Sequence, residues 1–290
     1  MKIAVHNEDI DGIACAALFL RKYPDAIIRF LSVYEAETSE ESYDIIADLP
    51  KSKNAIINID HHETNLRRLI KEKRLTEKDL VDPEAPSAAS LVAKFLGLEE
   101  DPIAKEIVKI ANRADTGLFD EKIIILDKII KLNVKREDVL RKIAQVLAEK
   151  GGAFLKDSWL LKMAKEATEM VKKYNRRIEK IVNGLISKGI KYAIFDAREV
   201  PFFIAKDFAQ KFARAGGCLG ASIYRDPGTQ KIRVSFRVGA CNIRANKLAE
   251  KLGGGGHEKA AGAIIDDVSA LIRILIEDIA VNDYLIFIKV

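Results

Sequence analysis

Short apolar runs bounded by polar turns dominate the first part of the chain. Residues 2–6, 27–31, 44–49 and 55–60 read as strands, and 14–20 as a helix. Strands alternating with helices predict an α/β domain with a mainly parallel sheet flanked by helices. From about 87 to 150 the pattern turns helical. Leu91, Phe95, Ile107 and Ile110 recur at helical spacing, and Ser87 and Ser90 after Pro86 suit a helix start. Gly151 and Gly152 break the run, and a long amphipathic helix is expected over 155–186. Residues 190–290 read as a smaller α/β unit. It has a strand at 190–195, a helix at 205–215, and a hairpin of 218–224 with 231–238 around Asp226-Pro227-Gly228. A helix at 246–252 closes on a glycine run, and a last strand covers 284–290. The expected organisation is 1–150, a helical connector 151–188, and 189–290.

Composition narrows the class. The 290 residues are 48% hydrophobic, enough for a substantial core, and 31% charged, a Lys- and Glu-rich mix common in heat-adapted proteins. A net charge of +5 tolerates an anionic substrate but falls short of the basic stripe of a duplex-DNA binder. Cys15, Cys218 and Cys241 form no C-x-x-C pair and sit among apolar or small residues, so buried free thiols in a reducing compartment are expected. The chain opens into a strand without a signal-peptide layout, and no apolar stretch approaches a membrane span. A cytoplasmic protein without membrane contact is the expectation.

Candidate chemistry lies where metal-capable residues interrupt the strands. His6 ends the first, with Asp9 and Asp11 in the turn behind it. Asp48 ends the third, Asp60-His61-His62 ends the fourth, and Asp115 follows a helix. Ligands of open α/β sheets bind beyond the carboxyl ends of strands, so these groups are expected to converge. Carboxylates and imidazoles without thiolates suit Mn²⁺, Mg²⁺ or Zn²⁺, and the set exceeds what one ion needs. Three of the four histidines lie at these edges. Taken singly, each residue has a plainer explanation. Asp9 and Asp11 before Gly12 could cap a helix, and Asp48 and Asp115 could end elements.

A further signal is Gly253-Gly254-Gly255-Gly256-His257 before Glu258-Lys259-Ala260-Ala261-Gly262. A glycine loop opening an Ala-rich helix would present backbone N–H groups to a phosphate. It fits neither a P-loop nor a dinucleotide fingerprint, and a tight turn is the plain alternative.

Asp60-His61-His62 resembles the triplet that names the DHH phosphoesterase superfamily. Its other motifs appear in order as His6-Asn7-Glu8-Asp9-Ile10-Asp11-Gly12, Asp48 and Asp115-Thr116-Gly117. The glycine run resembles the GGGH motif of the DHH-associated C-terminal domain, and Val234-Ser235-Phe236-Arg237 its phosphate-binding strand. The resemblance implies a catalytic domain over 1–150 and a substrate-binding domain over 189–290. It implies one metal on His6, Asp9 and Asp48, and another on Asp11, Asp48, His61 and Asp115, with Asp48 bridging. His62 would face the scissile phosphate, and Asp60 would orient a histidine. Arg237, Gly254, Gly255, Gly256 and His257 would hold substrate. Asn7 stands where RecJ-like members carry an aspartate, which favours the oligoribonuclease branch.

The function expected is a phosphodiesterase or exonuclease using two Mn²⁺, with Mg²⁺ as substitute. Its substrates would be short single-stranded RNA or DNA, cut to mononucleotides; a homodimer is left open. Alternatives are a small-nucleotide hydrolase, acting on cyclic di-AMP, pApA or 3′-phosphoadenosine 5′-phosphate, and an inactive nucleic-acid- or partner-binding protein.

Overall fold

The computed structural model describes residues 1–278 and 284–290. The chain divides into two compact units, Met1–Thr168 and Glu169–Val290.

The first unit opens with β1 (Lys2–His6), α1 (Ile10–Lys22), β2 (Ile27–Leu31), α2 (Val33–Thr38), β3 (Tyr43–Ala47), β4 (Ala55–Asp60), α3 (Glu63–Lys71) and β5 (Leu80–Val81). Four helices follow: α4 (Ala88–Leu96), α5 (Pro102–Asp115), α6 (Glu121–Leu132) and α7 (Glu137–Lys150). The sheet runs β2-β1-β3-β4-β5, and every neighbouring pair is parallel. Ile3, Ala4 and Val5 of β1 are fully buried, as parallel strands covered on both faces require. In this order the chain leaves β1 toward β2 and then crosses to β3 on the other side. The crevice at that reversal lies beyond His6 and beside Asp48.

α1 is buried without interruption from Ile10 to Leu20, which explains why its sequence shows no polar face. It lies in the main core with α4, α5 and α7. Gly12 is obligatory there. A Cβ at this position would stand 2.2 Å from the His6 carbonyl oxygen, so only glycine lets α1 start against the end of β1.

A 3-10 segment (Gly151–Lys156) precedes α8 (Ser158–Ile186), which carries the division between the units. Leu160 and Ala164 pack in the first core, Ile178 and Val182 in the second unit.

The second unit holds β6 (Tyr192–Asp196), α9 (Phe202–Arg214), β7 (Leu219–Arg225), β8 (Ile232–Val238), α10 (Ala245–Lys251), β9 (Gly255–His257), β10 (Ala260–Ile265), α11 (Val268–Asp278) and β11 (Leu285–Lys289). Its sheet runs β11-β6-β7-β8-β10-β9, parallel up to β7 and antiparallel beyond. The α/β class with a mainly parallel first sheet is as expected.

Two expectations fail. The Ala-rich segment after His257 is a strand, not a helix. Ala261, Ala263 and Ile265 alternate inward, Gly262 sits mid-segment, and β10 pairs with β8 along its whole length. Tertiary pairing overrides the helix propensity of alanine. Cys218 and Cys241 are joined in a disulfide, and Cys15 alone is a buried free thiol. The antiparallel pairing of Leu219 with Val238 brings the two loops together, with a Cα–Cα distance of 5.5 Å. The thiol count therefore no longer argues for a reducing compartment. Among the described residues, no helix is long and apolar enough to cross a membrane.

An enclosed ion pair closes the sheet near the crevice. Lys51 Nζ donates to both oxygens of Asp79 at 2.8 Å, and Asp79 Oδ1 accepts the Asn58 backbone N–H of β4. The Asp79 side chain is wholly buried. Burial pushes its carboxyl up, but the bonds from Lys51, Thr76 and Asn58 outweigh this and hold it below the usual carboxylate value. Asp79→Ala leaves Lys51 buried and unpaired and should cost about 3–5 kcal/mol in urea unfolding. Because the folded value is depressed, the contribution is complete above about pH 4 and disappears as pH falls through the folded value. The stability gap between Asp79→Asn and wild type should therefore close in acid; a gap constant with pH removes the ion pair as its cause.

Candidate active site

Six side chains from five places in the sequence meet at the crevice. His6 ends β1. Its Nδ1 donates to Asp9 Oδ2 at 2.9 Å and lies 3.6 Å from Asp48 Oδ2. Asp9 caps α1, its other oxygen accepting the Gly12 N–H. Asp11 is buried in the first turn of α1, and its oxygens accept the Ala88 and Ala89 N–H groups at 2.7 and 2.9 Å. The N-terminus of α4 thus clamps a carboxylate. His61 Nε2 lies 3.3 Å from Asp115 Oδ2, 3.6 Å from Asp11 Oδ2 and 4.0 Å from Asp48 Oδ1.

Ligand-capable atoms gather here in overlapping sets. His6, Asp9 and Asp48 form one, Asp11, His61 and Asp115 a second, and Asp48, Asp60, His61 and His62 a third. All six residues read from the sequence as metal ligands come together, with Asp48 beside both histidines.

Electrostatics shows what the cluster lacks. Burial, then the Asp9 charge, pushes the Asp11 carboxyl up to about 8, against the pull of the Ala89 and Ala88 N–H groups. Burial and the charges of Asp9 and Asp11 push Asp48 well up, and burial does the same to Asp115 despite the nearby His61 ring. Desolvation works against an ionised Asp9, yet the adjacent His6 ring holds its carboxyl below the usual range. Burial lowers His6, but Asp9 and Asp48 more than reverse this.

Asp48 Oδ2 and His61 Nε2 are buried without hydrogen-bond partners among the described residues. The His61 Nδ1 contact at 3.3 Å is to the Ala85 carbonyl oxygen, which can only accept. With Nδ1 as donor, the Nε2 lone pair faces carboxylate oxygens and repels them unless a cation stands between. Donor chemistry, orphaned atoms and charge deficit all fit a hard or borderline divalent cation.

Asp48 is also strained. It sits just past β3, with φ 56° in the left-handed region, and its N–H is tied to the Ile59 carbonyl. Such a conformation costs of order 1–3 kcal/mol and persists where surroundings enforce it.

His62 lies at the rim of the cluster, 3.8 Å from Asp48 Oδ1, its side chain about half exposed at the start of α3. Asp60 Oδ1 accepts His62 Nδ1 at 2.8 Å, and this bond raises the imidazole above its ordinary value against the pull of burial. Asp60 is held by Asn65 Nδ2 at 2.6 Å, and Asn65 Nδ2 also donates to Asn58 Oδ1. Asn58 Nδ2 reaches the Ile46 and Leu49 carbonyls, so the network ties β4 to the end of β3. Asn58 and Asn65 escaped the sequence reading. The available signal was an amide inside the apolar run Ile56-Ile57-Asn58-Ile59. A cavity of about 300 Å³ opens on His6, Asp9, Asp48 and His62, and Val33, Leu49 and Pro50 form its apolar side.

In the second unit, Arg237 and His257 both stand opposite Ala260, one on each neighbouring strand. Residues directly opposite share a sheet face, so both side chains flank Ala260 on one face. Arg237 Nη1 donates to Ser235 Oγ and the Phe236 carbonyl, each at 2.8 Å.

Residues 202–280 match the DHHA1 domain family. Among solved structures, a pGpG-specific phosphodiesterase, PggH, from Vibrio cholerae is 17% identical with a TM-score of 0.56, covering 96% of this chain and 98% of its own. The exonuclease RecJ bound to manganese is 15% identical with a TM-score of 0.52, covering 95% of this chain and 88% of its own. No curated protein matches the sequence. The chain shares its fold with these two proteins, and its residues 202–280 are similar to the DHHA1 domain.

Within the second unit the glycine run has steric work to do. Gly253 follows α10 at φ +71° and ends it. A Cβ on Gly254 would stand 2.2 Å from the Gly262 carbonyl oxygen, and one on Gly256 2.6 Å from Ala261 Cα. Gly255, unlike Gly254 and Gly256, has nothing within 4 Å among the described residues, and unlike Gly253 it has no positive φ. The run is a close-packed β-hairpin rather than the mouth of a helix.

Two predictions follow from this geometry. Asp48→Asn removes one of several crowded charges. It should melt no lower than wild type in EDTA while losing metal-dependent turnover by more than about 100-fold. Near-wild-type turnover would remove Asp48 from the metal centre. In the DHHA1 domain, Gly254→Ala should cost about 1–3 kcal/mol by overpacking. Gly255→Ala should melt within about 0.5 kcal/mol of wild type, because a Cβ there meets no described atom within 4 Å. A Gly255 variant as unstable as Gly254→Ala would remove the steric explanation of the run.

Proposed function

We propose that this protein is a divalent-metal-dependent phosphodiesterase that hydrolyses short single-stranded oligonucleotides to mononucleotides. The carrying observation is the orphaned pair of buried ligand atoms, Asp48 Oδ2 and His61 Nε2, inside a carboxylate cluster at the crevice. His6, Asp9 and Asp48 would hold one ion. Asp11, Asp48, His61 and Asp115 would hold a second, with Mn²⁺ the expected metal and Mg²⁺ a substitute. When bound, such a pair activates water near neutral pH and neutralises phosphoryl charge.

The chain's own residues do the rest. Asp60 fixes the His62 ring through Nδ1, leaving Nε2 to donate to a phosphoryl oxygen as charge develops. Asn65 and Asn58 keep Asp60 in place. Val33, Leu49 and Pro50 offer an apolar surface to a nucleoside. In the second unit, Arg237, the backbone of Gly254, Gly255 and Gly256, and His257 are proposed to hold substrate through phosphate and base contacts. A cytoplasmic setting is proposed, without membrane contact; the intact ligand set argues against a silent binding protein.

A second reading, hydrolysis of a small nucleotide such as cyclic di-AMP, pApA or 3′-phosphoadenosine 5′-phosphate, is favoured by the cavity. About 300 Å³ is at the lower end for small-molecule sites and suits roughly one nucleotide. The similar Vibrio cholerae enzyme is specific for a dinucleotide, pGpG. The test is a panel of labelled oligomers of about two to five nucleotides, with those three compounds, under Mn²⁺. Oligomers should be cut with the highest kcat/KM, and EDTA should stop the reaction. Higher kcat/KM for a small nucleotide moves the assignment to the second reading, and no hydrolysis with any divalent metal refutes both.

A further inference from the structure

The cavity beside the metal centre continues to a polar end that the chemistry above leaves unused. Arg68 and Thr64 of α3 and Glu37 of α2 line it. Thr64 and Arg68 stand four residues apart and share one face of the helix. Arg68 Nη1 donates to Glu37 Oε1 at 2.5 Å. Arg68 Nε is enclosed and has no hydrogen-bond partner among the described residues. The plain explanation is a surface ion pair in the last turn of a helix, worth little. Two observations tell against it. The pair forms a wall of the cavity that holds His6, Asp9, Asp48 and His62, and the guanidinium satisfies Nη1 while leaving a buried donor unmatched, which is costly.

We propose that Arg68 anchors a second phosphate of the substrate, one nucleoside away from the phosphate being cleaved, and that this phosphate displaces the Glu37 carboxylate. The inference rests on the phosphodiesterase reading. Glu37 is suited to leave, because its side chain is 43% exposed and can turn to solvent. A guanidinium fork matches a phosphate at least as well as a carboxylate, and a phosphate brings more acceptor oxygens to the unused N–H groups. The Thr64 hydroxyl can donate to the same group. Val33, Leu49 and Pro50, in the same cavity, suit the nucleoside that joins the two phosphates. The substrate class selected is a short nucleotide chain with a terminal phosphate rather than one ending in hydroxyls.

The test is equilibrium binding in EDTA, where nothing is cleaved. ApA, 5′-phosphorylated pApA and 3′-phosphorylated ApAp are titrated into wild type, Arg68→Ala, Arg68→Lys and Glu37→Gln. Wild type should bind one phosphorylated dinucleotide more tightly than ApA, and Arg68→Ala should lose that preference by about 10- to 100-fold. Arg68→Lys should restore part of it, since the charge returns without the fork. Glu37→Gln should increase it, a gain that a folding defect does not mimic. Equal preference in wild type and Arg68→Ala overturns the assignment, and so does a wild type without preference. Equal preference in wild type and Arg68→Ala alongside intact oligonucleotide hydrolysis removes Arg68 alone. An Arg68-dependent preference in a protein that hydrolyses nothing removes the phosphodiesterase reading alone.

Discussion

Four carboxylates, those of Asp9, Asp11, Asp48 and Asp115, converge around His6 and His61, with the Asp60–His62 pair beside them. Charges of one sign held this close repel strongly, and the burial of Asp11 and Asp48 makes ionising those two costlier still. The surrounding structure is arranged to hold them there. Two N–H groups at the start of α4 grip Asp11, the Gly12 N–H grips Asp9, and a left-handed backbone aims Asp48. A fold selected for stability alone has no reason to assemble such a cluster. Local rules broken together in one place mark a site whose benefit lies in binding.

The sheet makes that assembly possible at modest cost. Parallel strands end on the same edge, so His6, Asp48 and Asp60 arrive together without long loops. The reversal of strand order beside β1 separates the neighbouring connections and leaves room for a ligand. Precision then comes from inside the scaffold. Asn58 bonds the end of β3, Asn65 bonds Asn58 and Asp60, and Asp60 bonds His62. The imidazole that projects furthest into solvent is positioned by groups that are almost entirely buried. A side chain placed through packed, fully bonded neighbours holds its geometry better than one on a free loop.

Much of this was legible in the sequence for a simple reason. A buried strand is apolar, so a histidine or aspartate at its end stands out, and six ligand-capable residues could be named from that contrast. What stayed hidden depends on contacts between distant residues. Asn58 reads as an isolated amide until its partner Asn65 is seen across the strand-to-helix turn. Cys218 and Cys241 are 23 residues apart, and only the β7–β8 register makes them neighbours. The Ala-rich segment after the glycines has good helix propensity and becomes a strand because β8 offers it a full set of hydrogen bonds. The Arg68–Glu37 pair joins two helices separated by the whole of β3 and β4, and nothing local marks either residue.

The glycine run shows how one sequence signal can carry two physical demands. Gly254 and Gly256 are needed because backbone passes where a Cβ would sit, so their presence alone says nothing about a ligand. Gly255 has no such excuse. The register adds a separate fact, that Arg237 and His257 lie on either side of Ala260, about 10 Å apart across two strand spacings. On the same face Ile264 is 45% exposed, so the strand between them is not covered by a helix. A cation and an imidazole flanking a small residue on an open sheet face make a flat floor with polar edges. That shape suits a planar ring joined to an anion, and it follows from the strand register whatever the glycines are for.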